Sequence, residues 1–165
     1  MATGRSNQPP QQPMNRSIRY QGAIICDDHI LLIRHREHAT GRSYWLLPGG
    51  GRESHETEEV CIQREMLEET QLEVTVERLL LEDDDIPMGV YQRLKTYLCK
   101  IVDGDPRPGY EPEIDAAQQY AIAEVRWFDL KQPDEWEILL ENSAFTLTTL
   151  HRIRAILGYC KEPLS

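Results

Sequence analysis

Three glutamates on one arc of a single helix constrain this chain more than any other feature. Residues Gly50 to Leu72 read GGRESHETEEVCIQREMLEETQL. Successive helical residues turn by about 100°, so Glu65, Glu68 and Glu69 share one side. Like charges so placed repel, and an isolated helix gains nothing from them. A bound divalent cation turns that repulsion into affinity, since hard ions such as Mg²⁺ take carboxylate oxygens, waters and substrate phosphates. Arg64 adds a planar fork suited to orienting a carboxylate. The same segment carries Val60, Cys61, Ile62, Met66 and Leu67 spread around it, so it must pack between other elements. A glutamate-rich run is ordinarily a solvated face. Here it follows Leu47-Pro48-Gly49-Gly50-Gly51, a loop able to bring its backbone against a ligand or ion.

Loop and helix together match the pattern G-x5-E-x7-R-E-U-x-E-E-x-G-U, with U a bulky aliphatic. Gly50, Glu56, Arg64, Glu65, Met66, Glu68, Glu69 and Leu72 are in register. The chain thus resembles the Nudix hydrolases. The resemblance implies an α-β-α sandwich around a mixed β-sheet, and Mg²⁺-dependent hydrolysis of a nucleoside diphosphate linked to a further moiety, with Mn²⁺ as a possible substitute. It also implies site roles. Glu68 and Glu69 are the principal metal ligands, Glu65 binds metal or activates the nucleophile, and the Gly49 carbonyl is a backbone ligand. Arg64, Glu65 and Glu68 form the catalytic set, while Glu56 steadies the loop. A further acid outside the motif is sought among Glu111, Glu113 and Glu124; for Glu124, a solvated strand side chain is the plainer reading.

Two positions depart from the pattern. Gln71 stands where the motif has glycine, the residue best suited to the left-handed conformation just past a helix end. His55 stands where many members have a glycine, and it places an imidazole at the edge of the site.

The substrate is less legible. Arg34 and Arg36 precede the glycine loop and are candidate phosphate contacts, with Gly50 presenting backbone to the same ligand. Exposed arginines beside a hairpin, Arg42 included, are more often solubilising. His35 and His38 have no metal-ligand spacing and read as surface residues. Tyr44 and Trp45 are able to stack on a base, though strand aromatics are more often core. Pro87, fifteen residues past the motif, leans toward the ADP-ribose-hydrolysing members of the family. The rival reading is a catalytically silent nucleotide-binding regulatory module on the same fold. It predicts loss of the motif acids, and all are present.

The 165 residues fit one domain over 18–160, after a tail over 1–17 with three prolines and no apolar run that reads as disordered. A net charge of −10 opposes non-specific nucleic-acid binding. A small nucleotide remains compatible, because metal and arginine reverse the field inside a cleft. No stretch approaches a membrane span. Four cysteines lack zinc spacing; three read as small buried hydrophobes, and the setting expected is reducing and cytoplasmic. A homodimer is the common family assembly.

Along the chain, Ile18–Ile25 and Ile30–Arg34 form a hairpin, Tyr44–Leu47 a short strand, and Thr57 an N-cap for the motif helix. Strands follow at Glu73–Leu81, Val90–Val102 and Glu124–Leu130, with Glu82–Asp85 a solvated turn. Helices close the chain at Asp134–Leu140 and Phe145–Leu157. The sum is an α/β sandwich.

Overall fold

The computed structural model describes residues 17–110, 117 and 119–160. The tail expected over 1–17 lies outside these, apart from Ser17, as do Glu111 and Glu113.

Strands β1 (Ile18–Cys26) and β2 (His29–Glu37) form around the Asp27-Asp28 turn, where both aspartates take positive φ. Strand β3 (Ser43–Leu46) pairs antiparallel with β2, and the three glycines of the loop form β4 (Gly49–Gly51), antiparallel to β1. Helix α1 spans Glu58–Thr70. The hairpin of β5 (Glu73–Met88) and β6 (Tyr91–Asp103) follows, then β7 (Tyr120–Asp129) and helix α2 (Ala144–Leu157). β1 runs parallel to β6 over Ile18–Ile24, whereas β7 is antiparallel to β2, so the sheet is mixed.

The apolar residues of adjacent strand positions serve opposite faces. Ile24 and Leu31 pack with Ile62, Met66 and Leu72 on the α1 side. Ala23, Ile30 and Leu32 pack with Trp136, Leu150 and Ile153 on the α2 side. A strand buried on both faces needs a continuous apolar run, which β2 supplies in Ile30–Ile33. The architecture is the expected α-β-α sandwich.

Two local expectations are corrected. Glu82–Asp85 is not a turn: β5 continues through it, with Glu82 opposite Lys95 and Asp84 opposite Arg93. Cross-strand cations offset the acid run, Arg93 reaching Glu82 at 2.6 Å and Asp84 at 3.0 Å. The chain reverses at Gly89, where φ is +59°. The helix expected over Asp134–Leu140 reduces to a 3₁₀ turn at Pro133–Glu135 and further turns. Its start has no side-chain cap, and i→i+3 bonds such as Trp136 N to Pro133 O and Glu141 N to Ile138 O alternate with i→i+4 bonds such as Leu140 N to Trp136 O, so no regular helix runs through it. Trp136 and Leu140 are still buried, so packing is kept without the helix.

The cysteines are also redistributed. Cys61 and Cys99 are buried, and burial pushes each thiol up to about 12; Cys26 and Cys160 are exposed. Two, not three, are core residues.

Candidate active site

Helix α1 is positioned at both ends. Thr57 caps its start, its hydroxyl accepting from Val60 N at 3.2 Å. Glu58, in the first turn, is tied to the sheet by Lys95 at 2.8 Å and by the Tyr97 hydroxyl. At the other end Gln71 adopts the left-handed conformation the motif reserves for glycine, with φ 60° and ψ 22°. That geometry costs a non-glycine residue about 1–2 kcal/mol. Two hydrogen bonds offset it: the Gln71 amide donates to Leu67 O, and its side chain donates to Pro108 O, both at 3.0 Å. The last carbonyls of the helix are then taken by a segment far along the chain. Arg107, Gly109 and Tyr110 amides donate to the oxygens of Thr70, Glu69 and Glu68. Gly109 has to be glycine here, since a Cβ would run into the Glu68 carbonyl.

Arg64 organises the acids. Its Nε and Nη2 grip the Glu56 carboxylate at 2.6 and 2.8 Å, a bidentate pair. Its Nη1 donates to Glu65 at 3.0 Å and to Glu68 at 3.1 Å, and Nη2 reaches the Gly51 carbonyl at 3.2 Å. Glu56 also accepts from Glu53 N at 2.8 Å, and its carbonyl accepts from Arg52 at 2.8 Å. The glutamate expected to steady the loop thus joins loop to helix through Arg64. The Arg64 hydrogen bonds hold the Glu56 carboxyl below its usual range, against the opposing effect of burial. His55 is exposed, 3.6 Å from Glu53.

The other acids are stacked under the glycine loop. Glu69 is 1% exposed, and its carboxylate accepts from Gly49 N at 3.4 Å. Glu65 is 7% exposed, directly beneath Gly50, where any Cβ would collide with its carboxylate. Burial pushes Glu65 up to about 7; Arg64 pulls it down, and Glu68 pushes it up again. Among the described residues, no three acidic, histidine or cysteine side chains are arranged to hold an ion. Glu65 and Glu68 turn toward Arg64 instead. The donor set nonetheless fits a hard cation: three carboxylates and loop carbonyls, oxygen throughout, crowded so that each added negative charge is costly.

A second polar region lies beside this one. A cavity of about 470 Å³ is lined by Arg19 of β1, His35 of β2, Tyr44 and Trp45 of β3, the Pro87–Tyr91 reversal, Tyr120 of β7, and residues 142–146 at the start of α2. His35, expected at the surface, is only 3% exposed and stacks on Tyr120 with ring centroids 4.2 Å apart. It lies inside because β2 is central in its half of the sheet, flanked by β3 and β7. Burial, aided by the Arg19 charge, lowers its pKa to about 3. Arg19 is 5% exposed; its Nη2 donates to Leu47 O at 3.0 Å, and it sits over the Tyr91 ring. Arg19 pairs across the strands with Gly51, so the cavity and the glycine loop share a wall.

The remaining candidates fall elsewhere. Arg34 pairs with Glu124 at 3.2 Å and lies over Trp45, while Arg36 is exposed; neither lines the cavity. Glu124 is held by Arg34 and, at 2.7 Å, by Arg126, as a strand-surface acid would be. Trp45 packs edge-on to Phe128 in the core while one side faces the cavity. Arg19 carries no motif spacing that would mark it in the sequence. Its signal was an arginine inside the apolar strand IRYQGAII, where a cation is buried only with a purpose.

The molecule is thus an α-β-α sandwich with an acid-bearing helix clamped under a glycine loop. The NUDIX domain model matches residues 17–146. The chain belongs to the Nudix family of hydrolases. Its fold is similar to that of a NUDIX hydrolase from Nitrosomonas europaea (18% identity, TM-score 0.65, 84% of this chain and 88% of that one). It is similar to an ADP-ribose pyrophosphatase from Streptococcus suis (19%, TM-score 0.57, 91% and 96%). A UDP-X diphosphatase matches at 24% identity and TM-score 0.55 over 74% of this chain, which spans 55% of that protein. No curated protein matches in sequence.

Proposed function

We propose that this protein hydrolyses the diphosphate linkage of a nucleoside diphosphate derivative or nucleoside triphosphate by attack of water on phosphorus. The observation that carries the reading is the stack of Glu65, Glu68 and Glu69 against Gly49–Gly51, with Arg64 gripping Glu56, Glu65 and Glu68. Glu68 and Glu69, with Glu65 and the Gly49 carbonyl, would hold Mg²⁺, or Mn²⁺ in its place. Bound there, the ion supplies charge neutralisation at the diphosphate and the leaving group. Arg64 orients the acids. Glu65, buried beneath the glycine loop beside the acids that would hold the ion, is the group suited to take a proton from the attacking water. Gly50 lets backbone approach the substrate, and the cavity beside Arg19 takes the nucleoside or the moiety attached to it. Arg34 and Arg36 are less favoured as phosphate contacts, since Arg34 is engaged by Glu124.

A small nucleotide as the ligand agrees with the net charge of −10, which repels nucleic acid. Four free thiols agree with a reducing cytoplasm. No described helix is long and apolar enough to cross a membrane.

The test is a Mg²⁺-supplemented panel of ADP-ribose, nucleotide sugars, dinucleoside polyphosphates and nucleoside triphosphates, with products identified and Glu68→Gln run in parallel. Turnover abolished by chelation and by the substitution supports the reading. Turnover undiminished in Glu68→Gln overturns the metal assignment. Metal binding without turnover on any substrate favours the silent module.

A further inference from the structure

The cavity beside the glycine loop contains buried polar groups that the hydrolytic assignment leaves unused. Among the described residues, His35 Nε2 and Arg19 Nε are both buried without a hydrogen-bond partner, on residues more than nine-tenths buried. Orphaned buried nitrogens cost free energy, typically about 1–3 kcal/mol each, and a ligand that satisfies them recovers it. The start of α2 lines the same cavity. Ser143 makes no cap bond to the helix, because its hydroxyl accepts from Trp45 N at 2.9 Å. Its first-turn amides, which have no intrahelical acceptor, are therefore left uncapped by Ser143.

The balance of these groups is one-sided. An arginine offers only donors, and helix N-terminal amides are donors. The imidazole beside a guanidinium stays neutral and adds one donor and one acceptor. The walls are flat and apolar, made by His35 stacked on Tyr120, by Tyr44 and Tyr91, and by Met88. A phosphate would leave those walls unused; a planar ring covers them. At pyrimidine C4 or purine C6 an exocyclic amino group would set donor against donor, whereas a ring carbonyl there would meet its complement.

From this we infer that the cavity is a base-reading pocket in which Arg19, His35 and the α2 N-terminus select a carbonyl-edged nucleobase, a uracil or a six-oxo purine, over an amino-edged adenine or cytosine. The inference rests on the proposed hydrolysis for its setting, but not for its test. Arg19 makes the connection: it lies in the pocket, its strand partner is Gly51, and its charge is felt by Glu65. A base held against Arg19 and His35 thereby hangs its phosphates toward α1.

Binding of UMP, GMP, AMP and CMP to the metal-free protein, followed by calorimetry, reads the pocket without catalysis. UMP or GMP should bind roughly tenfold or more tightly than AMP and CMP, and the UMP and GMP arms separate the two carbonyl-edged rings. His35→Phe keeps the ring and the stack but removes both nitrogens; it should erase most of that preference while its Tm shows a folded protein. Arg19→Lys serves as the second variant should His35→Phe fail to fold. The same ordering should appear in kcat/KM for UDP-, GDP-, ADP- and CDP-glucose with Mg²⁺, mainly through KM. Equal or tighter AMP binding, no binding of any nucleotide, or a preference unchanged in the variants overturns the inference. Hydrolysis that ignores the base overturns it while leaving the proposed reaction standing; base-selective binding without hydrolysis does the reverse.

Discussion

The two polar regions of this molecule are built in opposite ways. Under the glycine loop, acids outnumber cations, and one arginine is shared among Glu56, Glu65 and Glu68. In the cavity beside it, aromatic walls surround an arginine and a histidine, of which Arg19 Nε and His35 Nε2 are buried without a partner among the described residues. The first region comes from one stretch of twenty-odd residues on a loop and a helix. The second needs β1, β2, β3, the β5–β6 reversal, β7 and the start of α2 to meet. Chemistry confined to one helix is written as spacing, while recognition gathered from six segments exists only after folding.

The widest separation between the regions should appear on cutting the acid cluster. Glu69→Gln, which removes a buried carboxylate proposed to hold metal, should lower turnover by more than the roughly 10–100-fold typical of an outer-shell partner. It should leave UMP and GMP affinity in metal-free protein almost unchanged. A parallel loss of nucleotide binding would show the two regions to be one unit.

Arg64→Lys attacks the same cluster through its organiser. Lysine keeps the charge but cannot fork onto Glu56, so the bidentate geometry of a largely buried pair is lost at a cost of roughly 1–2 kcal/mol. Thermal unfolding should show a clearly lower Tm, and an unchanged Tm would mean that Arg64 serves catalysis alone.

Acid should distinguish the cavity. Burial, aided by the Arg19 charge, lowers the His35 pKa in the folded protein to about 3 from an ordinary 6.5. Between these values the unfolded chain takes up a proton that the folded one refuses. The stability linked to His35 is therefore complete above pH 6.5 and declines as pH falls, by about 1.4 kcal/mol per unit. Denaturant unfolding at pH 7 and pH 5 should show this loss, and His35→Phe should flatten it relative to the parent. Equal pH slopes in the two proteins would put the imidazole in water.

The smallest effect belongs to the helix end. Gln71→Gly relieves left-handed strain but gives up the bond to Pro108, so the two changes nearly cancel. A gain of under about 1 kcal/mol is expected, with turnover preserved. A large loss of activity would show that the Gln71–Pro108 tie positions Gly109 and Tyr110 against the end of α1.

Most of the fold was legible because periodicity survives packing. The β1–β2 hairpin, the β3 strand, the Thr57 cap and α1 fall where alternation, turn residues and capping placed them. The failures share one cause. Glu82–Asp85 reads as a solvated turn until Lys95 and Arg93 come alongside, and Asp134–Leu140 reads as a helix until tertiary packing of Trp136 and Leu140 suffices without one. His35 reads as a surface residue until Tyr120 covers it.

By itself the sequence determined the acid arc, its arginine and its glycine loop, since residues within one helix turn are neighbours in any fold that keeps the helix. Only the tertiary structure decided that Arg64 turns to Glu56, that residues 107–110 close the end of α1, and that Arg19 and His35 share a cavity with the start of α2. Those contacts join positions far apart in the chain, and no local period records them.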